Sequence, residues 1–132
     1  MPEQHVASMA LADRIGELAL EKKASDVKIL DVHELTSITD VFVVCSGNSD
    51  VQVKAITDHI LDELAPEEKP LNKEGYDTRE WVLLDYVNVV VHVFHDSARE
   101  FYNLERLWPD APSKKLADDS AANPDVPLFE DL

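Results

Sequence analysis

The chain has 132 residues, which suits a single domain with a modest hydrophobic core. Hydrophobic residues make up 45% of it, a globular composition that excludes a wholly disordered chain. The formal net charge is −15, from 12 Lys and Arg against 27 Asp and Glu. Because phosphates repel an acidic surface, direct binding to nucleic acid is not expected, whereas a basic protein partner would be attracted.

Three features of the sequence favour a cytoplasmic protein. Charges interrupt every apolar run well short of the roughly 18 residues that a membrane span needs. The opening MPEQHVASMALADR lacks the basic region and apolar stretch of a secretory signal. Cys45 is the single cysteine, so no internal disulfide can form, and its setting in VFVVCSG predicts a small core residue.

The first half of the chain alternates helix and strand signals. Leu11, Ile15 and Leu18 recur at helical spacing and predict an amphipathic helix over residues 9–23. Two short segments, 26–31 and 40–46, predict strands, the second one β-branched and nearly all apolar.

A second helix is predicted to begin after Ser49. Ser49 and Gln52 have the spacing of a capping box, in which each side chain satisfies a free backbone donor of the first turn. Pro66 is predicted to end the helix. Its buried stripe is predicted to consist of Val53, Ile56, Ile60 and Leu64.

The second half begins with a polar loop over residues 66–80 that has room for one edge strand. Strands are predicted at 81–86 and 89–94, joined tightly at Val87 and Asn88. A third helix is predicted from Ser97 to Pro109, with a second capping box at Ser97 and Glu100. Its inner face is predicted to consist of Phe101, Leu104 and Leu107.

This order of elements predicts an α/β fold, a mixed β-sheet flanked by helices, over residues 5–109. Residues 110–132 contain three prolines and few apolar side chains, and carry more acidic than basic residues. They are predicted to form a disordered acidic tail.

The residues SGNS at 46–49 stand between a strand and a helix N-terminus, a position that can hold an anion. A tight turn followed by a helix cap also explains them, and the local pattern favours this interpretation. Nucleotidyl-transferring enzymes place a Gly-Ser turn here and need two carboxylates on a neighbouring strand to hold magnesium ions. Asp85 could supply one carboxylate, but Leu83 stands where the second is needed, so the pattern does not favour an enzyme.

The sequence predicts no metal site and no cofactor. His92 and His95 form an H-x-x-H pattern, but positions i and i+3 of a strand point to opposite faces and cannot hold one ion. His92 is predicted to be hydrogen-bonded within the sheet and His95 to be exposed near a helix start. No pattern of nucleophile and base stands out.

The stretch WVLLDY at 81–86 has two interpretations. Strand alternation puts Trp81, Leu83 and Asp85 on one face, and Val82, Leu84 and Tyr86 on the other. In the first interpretation Trp81 is a core residue and Asp85 caps the turn. In the second the stretch is a contact patch, because Trp and Tyr dominate interface hot spots.

Three segments together resemble the ribosomal silencing factor family (RsfS, also called Iojap). They are SITDVFVVCSGNSDVQVKAITDHI at 37–60, EWVLLDYVNVVVHVF at 80–94 and AREFYNLERLW at 98–108. The resemblance covers about residues 9–108. It implies a fold related to nucleotidyltransferases but without their catalysis.

The resemblance also implies a function. Family members bind the large ribosomal subunit through its protein numbered fourteen, block joining with the small subunit and damp translation when nutrients are short. Some members form homodimers. Alternatives of other classes are a nucleotide-binding or nucleotidyl-transferring enzyme using residues 46–49 and Asp85, and a ribosome-assembly chaperone.

The family's partner-binding surface carries over onto positions of this chain in β-strand and helix. These are Trp81, Leu84, Asp85, Tyr86, Tyr102, Glu105 and Trp108. One position departs from the family, since many members have glycine where this chain has Val87. A β-branched residue is unfavourable at positive φ, so the type of turn at this hairpin can differ from that of the family.

Overall fold

The computed structural model describes residues 2–99 and 102–116 of the chain. Helices and strands alternate through most of that length. In chain order they are α1 (Pro2–Glu21), β1 (Ser25–Asp31), β2 (Val41–Gly47), α2 (Asp50–Leu64), β3 (Asn72–Glu74), β4 (Trp81–Asp85), β5 (Val89–His95), α3 (Asp96–Arg99), α4 (Leu104–Leu107) and β6 (Ser113–Lys115).

Six strands form one sheet in the order β3-β4-β5-β2-β1-β6. The two central strands, β2 and β5, run parallel, and every other neighbouring pair is antiparallel. Both central strands are nearly continuous apolar runs, as expected for strands covered on both faces. The mixed sheet with helices on it confirms the predicted fold class.

One face of the sheet, which we call the closed face, is covered by α1 and α2. Apolar side chains of both helices interlock with those of the sheet, and most are completely buried. Full burial of each Val, Leu or Ile side chain contributes about 1.5–3 kcal/mol. The helix residues in this core are Ala12, Ile15, Leu18 and Ala19 of α1, and Val53, Ile56, Ile60 and Leu64 of α2.

The predicted cap of α2 forms, with one change of partner. The Ser49 side chain accepts from the Gln52 backbone N–H at 3.1 Å, as predicted. The Gln52 side chain accepts from the Asn48 backbone N–H at 2.6 Å, and its amide nitrogen donates to the carbonyl of Lys23 at 2.9 Å. Gln52 therefore fixes both the start of α2 and the end of α1.

Helix α1 begins seven positions before the predicted start at residue 9. Its first turns carry no apolar stripe, but two polar side chains attach them to the sheet. Gln4 Nε2 and Ser8 Oγ both donate to Asp40 Oδ2, at 3.1 and 2.9 Å. The spacing of apolar residues could not predict these first turns, because their stabilisation depends on a carboxylate that is distant in the sequence.

The prediction of one continuous third helix from Ser97 is wrong. Two four-residue helices occur instead, and the second begins after Asn103, whose side chain accepts from the Arg106 backbone N–H at 3.2 Å. Asparagine at this position starts a new helix in preference to continuing the first. Leu104 is buried as predicted, whereas Leu107 is 69% exposed. Glu100 and Phe101 lie outside the described residues.

The ordered domain continues past residue 109. Ser113–Lys115, in the segment predicted to be a disordered tail, form β6 and pair with β1 at the edge of the sheet. The Leu116 backbone N–H also donates to the carbonyl of Val27 at 2.9 Å. Residues 117–132, the rest of the predicted tail, lie outside the described residues.

Candidate partner-binding face

The sheet face opposite α1 and α2 is less completely covered, and we call it the open face. We define it by Phe42, Trp81, Leu83, Asp85, Tyr102 and Trp108. Within β4, Trp81, Leu83 and Asp85 are half-buried and alternate with buried Val82 and Leu84, so the predicted alternation of this strand is confirmed.

Aromatic rings dominate the open face. The ring of Trp81 stacks on that of Phe94 at a centroid distance of 5.0 Å and meets that of Tyr102 at 4.8 Å. Trp108 contacts Phe42 edge to face at 5.9 Å. Such pairs contribute about 0.5–1.5 kcal/mol each beyond the area they bury. The structure thus brings together three of the predicted contact residues. The rings of Trp81 and Tyr102 contact each other, and the ring of Trp108 lies on the same face against Phe42.

Trp81 is held in orientation by His92. Its indole N–H donates to His92 Nδ1 at 3.1 Å, which assigns the proton of neutral His92 to Nε2. Burial lowers the pKa of His92 to about 4. The Nε2 atom is buried without a hydrogen-bond partner among the described residues. A neutral His92 that fixes the indole agrees with the predicted role of this residue inside the sheet.

A shallow groove of about 260 Å³ lies beside Trp81, between β4 and α4. Tyr102 and Leu104 line its inner part, and the exposed side chains of Arg106 and Leu107 stand at its rim. Aromatic side chains and arginine are enriched in protein–protein contacts.

The hairpin after Asp85 is a tight γ-turn centred on Val87. The Asn88 backbone N–H donates to the carbonyl of Tyr86 at 2.9 Å, and Val87 has a φ of 76°. This is the rare, strained form of the turn, and a β-branched residue at its centre is a conformational outlier. Asp85 Oδ1 accepts from the Val87 backbone N–H at 2.8 Å, so Asp85 caps the turn.

Leu84 and Tyr86, two other predicted contact residues, lie on the closed face. Leu84 is fully buried and Tyr86 is 5% exposed, both in the core beneath the long helices. Burial raises the pKa of Tyr86 to about 12. The two side chains are therefore not brought together with Trp81, and their role as contacts stays a prediction.

Glu105, also predicted as a contact, is held by two cations of the same chain. Its Oε2 atom lies 3.0 Å from Lys28 Nζ and 3.3 Å from Arg99 Nη2. Burial acts to raise the pKa of Glu105, but the hydrogen bond from Lys28 and the charge of Arg99 outweigh it, and the net shift is downward. In this arrangement Glu105 ties α4 to the sheet.

The turn at residues 46–49 and Asp85 lie at opposite ends of the sheet. Ser46 pairs with Phe94 of β5. Phe94 pairs in turn with Trp81 at the start of β4, whereas Asp85, at the end of β4, pairs with Val90. Four strand residues, roughly 13 Å, therefore separate Asp85 from the level of the turn. Asp85 is therefore too far from the turn to hold a metal ion against a phosphate bound there.

Sequence reasoning missed Phe42 as a member of the open face. Phe42 and Val44 of β2 alternate with buried residues of the opposite face, as Trp81 and Leu83 do in β4. The period-2 pattern contained this signal. This signal alone could not place Phe42 on the open face, because local sequence does not encode the pairing of β2 with β5. That pairing brings Phe42 next to His92.

Among the described residues, none of the helices combines the length and apolarity required to cross a bilayer. The fold and the open face define a class: a small α/β domain with a half-exposed aromatic patch, which is typical of proteins that bind other macromolecules.

The family follows from comparison with known proteins. A family model described as "Ribosomal silencing factor during starvation" matches residues 5–127. A protein from Bacillus subtilis (strain 168), named ribosomal silencing factor RsfS, is 46% identical over 97 residues, which covers 73% of this chain and 82% of that protein. The chain belongs to the ribosomal silencing factor family, as its sequence segments indicated.

Two further comparisons extend this match. A crystal structure of a protein from Bacillus halodurans superposes with a TM-score of 0.67 at 37% identity, covering 82% of this chain and 96% of that one. A more distant relative from Mus musculus is named mitochondrial assembly of ribosomal large subunit protein 1. It is 29% identical over 111 residues, and the match spans 81% of this chain and 49% of that protein.

Proposed function

We propose that this protein represses translation by binding the large ribosomal subunit and sterically blocking its joining with the small subunit. The match of residues 5–127 to the family of ribosomal silencing factors carries the proposal. The name of the mouse relative, which refers to the large subunit, supports the choice of subunit. A protein wedged on one docking face prevents joining without any chemistry.

The proposed contact is the open face, and the proposed partner is the protein numbered fourteen of the large subunit. Trp81 supports this surface because its indole is half-exposed and held in orientation by His92, and Trp is enriched at interface hot spots. Asp85 lies on the same face, and the net charge of −15 favours a basic protein as partner. Repulsion from rRNA phosphates around it would disfavour non-specific attachment.

Sedimentation with purified subunits tests the function. The recombinant chain is expected to co-sediment with large subunits and not with small ones, and to reduce the yield of joined ribosomes in a dose-dependent way. Equal binding to both subunits, or an unchanged yield of joined ribosomes, would contradict the proposal. The same preparation is expected to show no magnesium-dependent turnover of nucleoside triphosphates.

Substitutions in β4 test the surface. Trp81→Ala is expected to weaken binding by at least roughly 2 kcal/mol, about thirtyfold in Kd. Asp85→Lys should do similar harm by bringing like charge against a basic partner. Asp62→Lys makes the same charge change at an exposed position of α2 and is expected to bind normally.

Tyr86→Phe tests the predicted contact on the closed face. The Tyr86 hydroxyl has no hydrogen-bond partner among the described residues, so this change is expected to leave folding within about 1 kcal/mol of wild type. Normal subunit binding by Tyr86→Phe, with lost binding by Trp81→Ala at a near-native Tm, would assign the contact to the open face. Normal binding by folded Trp81→Ala and Asp85→Lys would place the contact elsewhere.

A further inference from the structure

Three side chains that are distant in the sequence converge near the first turns of α1. His5 lies in α1, Asp31 is the last residue of β1, and His33 lies in the turn that follows. His5 Nε2 is 2.8 Å from Asp31 Oδ2, and His33 Nδ1 is 2.7 Å from Asp31 Oδ1. Within residues 2–99 and 102–116 this is the one group of three such side chains whose ligand atoms come close together, all within 4.8 Å.

The two imidazoles lie side by side on the same carboxylate. Their rings stack with a centroid distance of 3.7 Å and an interplanar angle of 27°. A cation bound by both imidazoles would have to lie in the plane of each ring, so the two rings would swing apart around it. Two imidazole nitrogens and one carboxylate oxygen would then ligate a single ion.

We propose that His5, Asp31 and His33 form a binding site for a divalent zinc-type cation. Zinc takes histidine nitrogen at about 2.0–2.1 Å and carboxylate oxygen at about 2.0–2.2 Å, usually in a tetrahedron. Ligand atoms in such a tetrahedron are roughly 3.4 Å apart, and those of this group lie within 4.8 Å of one another, so no pair needs to close by more than about 1.4 Å. Side-chain rotation can supply this, because all three residues are half-buried and reach solvent.

The chemistry of the ligands selects among cations. Imidazole favours zinc, copper, nickel and cobalt, whereas magnesium and calcium require mainly oxygen ligands. Three protein ligands at a half-exposed position leave the fourth coordination position to water. Glu34 Oε2 lies 3.8 Å from His33 Nε2, where a carboxylate can orient a ligating imidazole through its other nitrogen.

The proposed ion would fasten the first turns of α1 to the sheet. Gln4 already links that turn to Asp40 and, at 3.4 Å, to Asn88 of the β4–β5 hairpin. A metal bond between His5 and the end of β1 would add a second, stronger attachment beside it. The chain has an excess of carboxylates, which also raises the local concentration of cations.

Metal binding by the full chain tests this site without reference to ribosomes. After treatment with a chelator, the protein is titrated with Zn²⁺ by calorimetry and with Co²⁺ by visible absorption, which reports tetrahedral coordination. We expect one ion per chain. His5→Gln and His33→Gln each keep a hydrogen-bond donor for Asp31 and are expected to weaken Zn²⁺ binding at least about tenfold.

His59→Gln is the matched control. His59 Nε2 pairs with Glu21 Oε1 at 2.7 Å, a histidine–carboxylate pair near the other end of α1 without a second histidine. This variant is expected to bind Zn²⁺ as wild type does. Zn²⁺ should raise the Tm of wild type and of His59→Gln, but not that of the His5→Gln/His33→Gln double variant.

Two results would overturn the proposal. One is undiminished Zn²⁺ affinity in the double variant, whose fold is checked by circular dichroism, because the ion would then bind to other acidic groups of the surface. The other is a wild-type chain that binds no Zn²⁺ in calorimetry and gives no visible Co²⁺ bands. Both results are independent of whether the protein represses translation.

Discussion

The two faces of the sheet are built from different side chains. Two helices of 20 and 15 residues cover the closed face, where aliphatic residues are packed almost without exposure. Two helices of four residues each cover the open face, where aromatic rings and the imidazole of His92 are packed and several remain half-exposed. Aliphatic packing stabilises a fold only where water is excluded, whereas an aromatic ring with a polar atom can also present a surface to a partner.

Strand β4 takes part in both faces at once. Its even positions contribute to the closed core and its odd positions to the open face. One strand can therefore hold the domain together and carry the proposed contact. Substitutions at adjacent positions of β4 should separate the two roles.

The largest expected effect is the difference between Leu84→Ala and Leu83→Ala. Leu84 is fully buried in the closed core, and its truncation is expected to cost about 2–5 kcal/mol of unfolding free energy. Leu83 is half-buried on the open face, so the same change should cost under about 1.5 kcal/mol. Denaturant titration of both variants measures the difference, and equal costs would refute the distinction between the faces.

Acid is expected to weaken the fold through the open face, because His92 is neutral in the native state. The unfolded chain takes up a proton near the ordinary pKa of 6.5, whereas the buried ring resists it down to about 4. The contribution of His92 to the free energy of unfolding is thus fully present above about pH 7 and is lost as the pH drops towards 4. Between pH 7 and pH 5 the loss due to His92 should be roughly 2 kcal/mol.

His92→Gln is the control for this pH dependence. Glutamine can accept the Trp81 N–H but does not titrate, so its unfolding free energy should change less between pH 7 and pH 5 than that of wild type. An identical pH dependence in the two proteins would mean that groups other than His92 control the response to acid.

The smallest expected effect is a gain in stability from a substitution in the hairpin that joins β4 and β5. Val87→Gly relieves the strain of a positive φ, which stabilises the fold by about 1–3 kcal/mol. It also raises the conformational entropy of the unfolded chain, which lowers stability by about 0.4–1 kcal/mol. We expect a net stabilisation of about 1 kcal/mol, visible as a higher Tm. Val87→Ala retains a Cβ and should gain less, and destabilisation by Val87→Gly would argue against the γ-turn.

Much of the domain could be predicted from local patterns. The strands at β1, β2, β4 and β5, the edge strand in the 66–80 loop and the cap at Ser49 all follow from alternation, β-branched content or turn chemistry, which act over a few residues. The break at Asn103 was missed, although asparagine is a known cap residue, because the continuing helical spacing of Leu104 and Leu107 outweighed it. Strand β6 was missed because its sequence, SKK, has no apolar residue.

The sequence by itself determined the type of most helices and strands, the two-sided pattern of β4 and, through three of its segments, the family. It could not determine which side of β4 would lie beneath the long helices, because alternation fixes the period of a strand but not its partner. Tertiary packing put Tyr86 in the core beneath the long helices and left Trp81 half-covered. Tertiary packing also brought His5, Asp31 and His33 together, since contacts between distant segments depend on the path of the whole chain.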